Sequence, residues 1–162
     1  MGLEEKFLAS YDLYAPALLR HIFFRVNDSD LAEELVQETF FKAWRHLALK
    51  NEDIKNPKAF LYRIADNLII DSYRKKPTRP LSLEELEKEP VFKEEAREKK
   101  LDFEFLVRFL NLLNEEQKRV LLLRFVDNLS ISEISRITGK TANNIRVIVH
   151  RGLQELKKKS HV

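Results

Sequence analysis

Asn143, Arg146, Val147, His150 and Gln154 recur at short helical spacings near the C-terminus, so a helix there carries them on one face. Amides, a guanidinium and an imidazole projecting together suit hydrogen bonds to base edges and to phosphates. The opposite positions, Ile145, Ile148, Val149, Gly152 and Leu156, form an apolar stripe with a 3.6-residue period. Upstream, Ser130 and Glu133 have the S-x-x-E spacing of a capping box, Gly139 stands where the chain must turn, and Thr141 can cap a second helix. Leu129 to Leu156 therefore has the layout of a helix, a short turn and a second helix that fits a DNA major groove. A helical hairpin turning on a glycine for purely architectural reasons has the same layout.

Two other clusters carry chemistry of the same kind. A helix opening at Asn56-Pro57, a cap followed by proline in the first turn, is expected to run to about Lys76 with Leu61, Ile64, Ala65 and Leu68 inward. Around it lie Phe60, Tyr62, Arg63, Asn67, Asp71, Tyr73, Arg74 and Lys75. Cations that track phosphates, beside rings or an amide that engage an unstacked base, suit single-stranded nucleic acid. The competing reading makes the tyrosines boundary residues and the cations partners of the helix dipole. A second helix, starting near Asp30 with Glu33 in the capping-box position and reaching about Leu47, places Ala32, Leu35, Val36, Phe40, Ala43 and Leu47 inward. Its outer face holds Glu34, Gln37, Glu38, Phe41 and Arg45, with Trp44 at the border. These rings either anchor a protein interface or pack under another helix.

The elements that position these clusters all read as helix. No alternating strand pattern or Asn-Gly hairpin is present, and a first helix is expected from Leu3 to Val26 with Leu3, Phe7, Tyr11, Ala15, Leu18 and Ile22 buried. Towards the C-terminus, Leu101 to Leu113 forms one helix. Asn114 starts another, with Glu115 and Glu116 in its first turn, Gln117 in the reciprocal capping position, and Val120, Leu121, Leu123 and Phe125 as candidate core. Between the halves, KKPTRPLSLEELEKEP concentrates three of the five prolines and precedes a charged run, which reads as a linker with a short helix from Ser82 ended by Pro90. The expected division is 1–76, a linker at 77–99, and 100–162.

The chain has 162 residues, enough for one respectable core or two small helical ones, and 44% hydrophobic content excludes general disorder. Net charge is only +3, but basic residues gather between Lys58 and Arg79 and between Arg136 and Lys159, with an acidic middle from Glu84 to Glu104. Two basic ends divided by an acidic segment suggest two contacts with a polyanion. The absence of cysteine excludes disulfides, iron–sulfur clusters and Cys-based zinc sites. His21, His46, His150 and His161 lack metal-ligand spacing, and no phosphate-cradling Gly-rich loop or nucleophilic triad is visible, so neither an enzyme nor a cofactor is expected. VLLLRFV is interrupted by Arg124 and too short to span a bilayer, and MGLEEKF is acidic where a signal peptide is basic. A cytosolic protein without membrane insertion is expected.

DLAEELVQETFFKAWRHL, AFLYRIADNLIIDSYRKK and LLNEEQKRVLLLRFVDNLSISEISRITGKTANNIRVIVHRGLQEL resemble, in order and spacing, the three signature blocks of extracytoplasmic-function sigma factors of bacterial RNA polymerase. The resemblance implies an all-α, non-enzymatic initiation factor of two small domains, regions two and four, joined by a flexible linker. The first block in that family docks on the clamp helices of the largest subunit of core RNA polymerase, which implicates Glu34, Gln37, Glu38, Phe41 and Trp44. The second block recognises the minus-ten element and captures a flipped base, implicating Tyr62, Arg63, Asn67, Asp71 and Arg74, with Tyr73 and Lys75 as neighbours. The third reads the minus-thirty-five element, implicating Thr141, Asn143, Asn144, Arg146, His150 and Arg151. Promoter DNA, core polymerase and an anti-sigma factor are the implied partners.

The chain departs from the family pattern at several positions. Phe60 stands where many relatives have Trp, Ser135 replaces a small Ala, Lys140 replaces an apolar turn residue, and Ile148 replaces a frequent Arg, removing an expected phosphate contact. The Asn143-Asn144 pair replaces the commoner Gly-Thr, which bears on base preference because Asn can bond adenine bidentately. Competing functional classes are a stand-alone helix-turn-helix regulator that dimerises through Phe41 and Trp44, and an interaction protein whose exposed aromatics bind a helical partner.

Overall fold

In the computed structural model, described for residues 2–50, 54–75, 77, 80–84 and 100–160 apart from the side chains of 100–104 and 160, every regular element is helical. Three long helices form an N-terminal unit: α1 (Leu3–Val26), α2 (Ser29–Lys50) and α3 (Pro57–Lys75). Four form a C-terminal unit: α4 (Lys100–Leu112), α5 (Glu115–Leu121), α6 (Ile131–Thr138) and α7 (Ala142–Ser160). Of the expected linker, 77 and 80–84 are described, with residues 83 and 84 helical, and the rest of its expected helix to Pro90 lies outside the described residues. Leu81 is buried and paired through its backbone with the Asn111 amide.

Local signals set most boundaries. Asn56 Oδ1 accepts the Ala59 N–H ahead of α3, Asn114 and Gln117 close a capping box on α5, and Ser130 and Glu133 close another on α6. α2 starts earlier than expected, because Asp28 rather than Asp30 accepts a backbone N–H, that of Leu31. α1 follows its expected range, but its last two turns depart from a single stripe: His21, Phe23, Phe24 and Arg25 are as buried as Leu18 and Ile22. A helix packed on one side leaves such residues half in water. Here the C-terminal unit covers the remaining side.

After α5 the chain widens into a π turn, Leu122–Val126, in which Asp127 N–H donates to the Leu122 carbonyl at 2.9 Å and Leu129 N–H to that of Leu123 at 3.0 Å. The wider turn breaks the 3.6-residue register. Val120, Leu121 and Leu123 reach the core as expected, whereas Phe125 rotates outward and is 54% exposed. Asn128 follows in the left-handed region, φ 59°, and the turn carries Asp127 into the N-terminal unit.

Candidate nucleic-acid interface

α6 and α7 form the expected helix-turn-helix. Gly139 ends α6 in the left-handed region at φ 75°, where an L side chain is strained. Ser135 Oγ donates to the Lys140 carbonyl and Thr138 Oγ1 accepts the Lys140 N–H, so side chains fix the turn on both flanks. Thr141 Oγ1 accepts the Asn144 N–H at 3.1 Å and caps α7. Along α7, Ile145, Ile148 and Gly152 are buried, while Asn143, Asn144, Arg146, His150 and Arg151 are exposed beside Val147 and Gln154. Ile148 is therefore a core residue that faces away from the polar surface. The phosphate contact expected of an Arg at this position does not belong to the exposed face, and the apolar side chain fills the core instead.

On α3 the structure separates residues that the sequence grouped. Arg63, Asn67, Asp71 and Arg74, spaced by four, four and three, share an exposed face. Tyr62 does not join them. It is 1% exposed, and its hydroxyl donates to Asp127 Oδ1 at 2.7 Å. Burial first, then the neighbouring Asp127 carboxylate, pushes the Tyr62 phenol well above its ordinary value. Tyr73 lies on the same inner side, donating to the Arg25 carbonyl and to Glu115, and its phenol is raised too, mainly by burial.

On α2, Phe41 stands 62% exposed beside exposed Glu34 and Gln37 and half-buried Glu38. Trp44 divides its roles, packing its ring on Phe7 at 5.1 Å between centroids while keeping an outer edge. Of this aromatic pair, Phe41 stands out in solvent and Trp44 is partly packed.

Sequence reasoning missed a pair of buried carboxylates between the units. Asp127 accepts from Tyr62 and pairs with His21 Nδ1 at 2.8 Å, while Lys58 Nζ donates to its backbone carbonyl. Asp66, fully buried on α3, pairs with Arg25 at 3.1 Å and with Arg119 of α5 through two hydrogen bonds. The available signal was an isolated Asp66 among the inward positions of α3. No local pattern names its partners, which lie 41 and 53 residues away.

Fold and exposed faces together define a two-unit helical DNA-binding protein whose C-terminal unit carries a helix-turn-helix. The family models for sigma-70 region 2 and sigma-70 region 4 match residues 11–78 and 106–156 respectively. The chain belongs to the sigma-70 family and, with its relatives, to the extracytoplasmic-function (ECF) branch of RNA polymerase sigma factors. It is 29% identical to the ECF sigma factor BldN of Streptomyces coelicolor over 96% of this chain and 60% of that protein. With the ECF sigma factor SigX of Bacillus subtilis it shares 26% identity over 96% of this chain and 84% of the other. In fold it is similar to the sigma factor RpoE of Bartonella quintana, solved in complex with the anti-sigma factor NepR, with a TM-score of 0.73, 23% identity and 98% of each chain covered. The chain is thus an initiation factor and not an enzyme.

Proposed function

We propose that this chain docks on the clamp helices of core RNA polymerase through Glu34, Gln37, Glu38, Phe41 and the outer edge of Trp44. The α3 face of Arg63, Asn67, Asp71 and Arg74, joined by Tyr62 once it is uncovered, engages the minus-ten element and holds an unstacked base. Thr141, Asn143, Asn144, Arg146, His150 and Arg151 read the minus-thirty-five element. Polymerase supplies the metal and the chemistry; this chain supplies promoter choice and strand opening, within the division 1–76, 77–99 and 100–162. It acts in the cytoplasm, and no helix among the described residues is long and apolar enough to cross a membrane. By analogy with the relative solved with NepR, an anti-sigma factor is its antagonist.

The observation that carries this reading is that three separate helices each leave a chemically distinct face to solvent: acidic-aromatic on α2, mixed polar on α3 and amide-basic on α7. A stand-alone regulator needs only the last. The test is run-off transcription with core polymerase on a promoter library, followed by sequencing of the transcripts. Transcripts that start downstream of a shared pair of elements are the expected result. Tight binding of promoter duplex by the chain alone, as a dimer and with no transcripts on adding core, supports the regulator instead.

A further inference from the structure

One apolar side chain stands in the middle of the polar face of α7. Asn143, Val147, His150 and Gln154 follow at spacings of four, three and four, so they form a single line along the helix, with Arg146 on one side and Arg151 on the other. All of them are exposed, and Ile145, Ile148 and Gly152 on the opposite side are buried. Val147 is 38% exposed, outside the hydrophobic core of the described residues, to which its neighbour Val149 contributes. A β-branched residue at an exposed helical position also costs propensity relative to alanine or a long polar side chain. Neither packing nor helix formation accounts for a valine here.

The major groove offers such a side chain one partner. Base edges there present hydrogen-bond donors and acceptors, and the thymine C5-methyl is the one apolar group among them. Against a donor or acceptor, the isopropyl group removes water and returns no hydrogen bond, which costs free energy. Against a methyl, both surfaces leave water at a gain. Val147 lies six positions after the Thr141 cap, in the N-terminal half of α7, the part of such a helix that reaches base edges.

We propose that Val147 reads one thymine by its 5-methyl group and sets a base preference that the polar residues around it do not supply. The inference rests on the assignment of α7 to the minus-thirty-five element for its place on the promoter, but the contact is measurable in any major groove that α7 occupies. Deoxyuridine is the probe, because it pairs as thymidine does and lacks only the methyl. Preferred duplexes are selected from a random library twice, by run-off transcription with the full chain and core polymerase, and by retention on the full chain alone. Each thymine of the recovered sequence, on either strand, is then replaced singly by deoxyuridine and binding is titrated.

One thymine should stand out, with binding about fourfold weaker once its methyl is gone, the effect of one carbon group returned to water. Val147→Ala, a substitution at an exposed position, should bind thymidine and deoxyuridine nearly equally there. Arg146→Ala should weaken binding overall and keep the fourfold ratio, which separates methyl reading from a general loss of affinity. A sequence in which no thymine senses its methyl overturns the proposal, as does a ratio that survives Val147→Ala. Recovery of no preferred sequence in either selection overturns it too, since α7 then reads no base. A Val147-dependent thymine lying away from the minus-thirty-five element, or found only in duplexes bound without polymerase, overturns that assignment of α7 and leaves the methyl contact standing.

Discussion

Phe41 is the residue at which exposure and chemistry disagree most. A phenylalanine 62% exposed contributes little to the core, so Phe41→Ala should leave stability within about 0.5 kcal/mol while weakening binding to core polymerase. Titration of labelled core with the variant checks this, and unchanged affinity removes Phe41 from the docking face. Arg146 supports a sharper discrimination. If it reads a guanine, Arg146→Ala costs about 1–3 kcal/mol on the preferred upstream duplex and relaxes sequence preference; if it touches phosphate, it lowers the slope of log affinity against log salt by about one. A fluorescence titration at several salt concentrations separates the two, and neither change strikes Arg146 from the interface. These exposed positions were legible in the sequence because helical periodicity alone assigns them to a face. Tyr62 was not, since its hydroxyl is claimed by Asp127, 65 residues away.

The helix-turn-helix was the most legible element, because its caps, its turn and its core stripe are all encoded within one short stretch. The same locality makes it testable. Ser130→Ala removes the acceptor for the Glu133 N–H and should cost about 1 kcal/mol of unfolding free energy, read from the urea midpoint. Glu133 adds a pH signature. Its carboxyl is held below the usual carboxylate range first by the Ser130 backbone N–H and then by the Asn56 amide. That contribution is present above the ordinary carboxylate value and fades as pH falls through the lowered one. Gly152 is the one position on α7 where packing forbids a side chain, since an added Cβ would lie 2.7 Å from Leu121 Cδ1 and 3.3 Å from its Cγ. Gly152→Ala gains about 1 kcal/mol of helix propensity but must displace a buried Leu121, at about 1–3 kcal/mol. A net loss of about 1 kcal/mol in chemical denaturation is expected, and a gain would mean that Leu121 can move aside. The α5 turn was less legible, because the π register that exposes Phe125 leaves no periodic trace in LLLRFVDN.

At the scale of the whole molecule, the sequence encodes two helical units but not their docking, because the residues that join them are far apart in the chain; His21 and Asp127 are separated by 106 positions. That docking has an alkaline limit. Burial raises the phenols of Tyr62 and Tyr73 above their ordinary value of about 10, so the native chain keeps these protons at a pH where an opened or unfolded chain releases them. The state that binds more protons is favoured at lower pH. The stabilisation is therefore fully present below about pH 10 and declines above it, by about 1.4 kcal/mol per pH unit for the fully buried Tyr62 until its own raised value is reached. Raising the pH from 8 to 12 while following tyrosinate absorbance and the distance between the units should show late ionisation and separation proceeding together. Tyr62→Phe has no proton to lose, so the docking of its units, weaker at neutral pH for want of the bond to Asp127, should depend less steeply on alkali. Should Tyr62 instead ionise near its ordinary value with the units still together, its phenol is not enclosed between them.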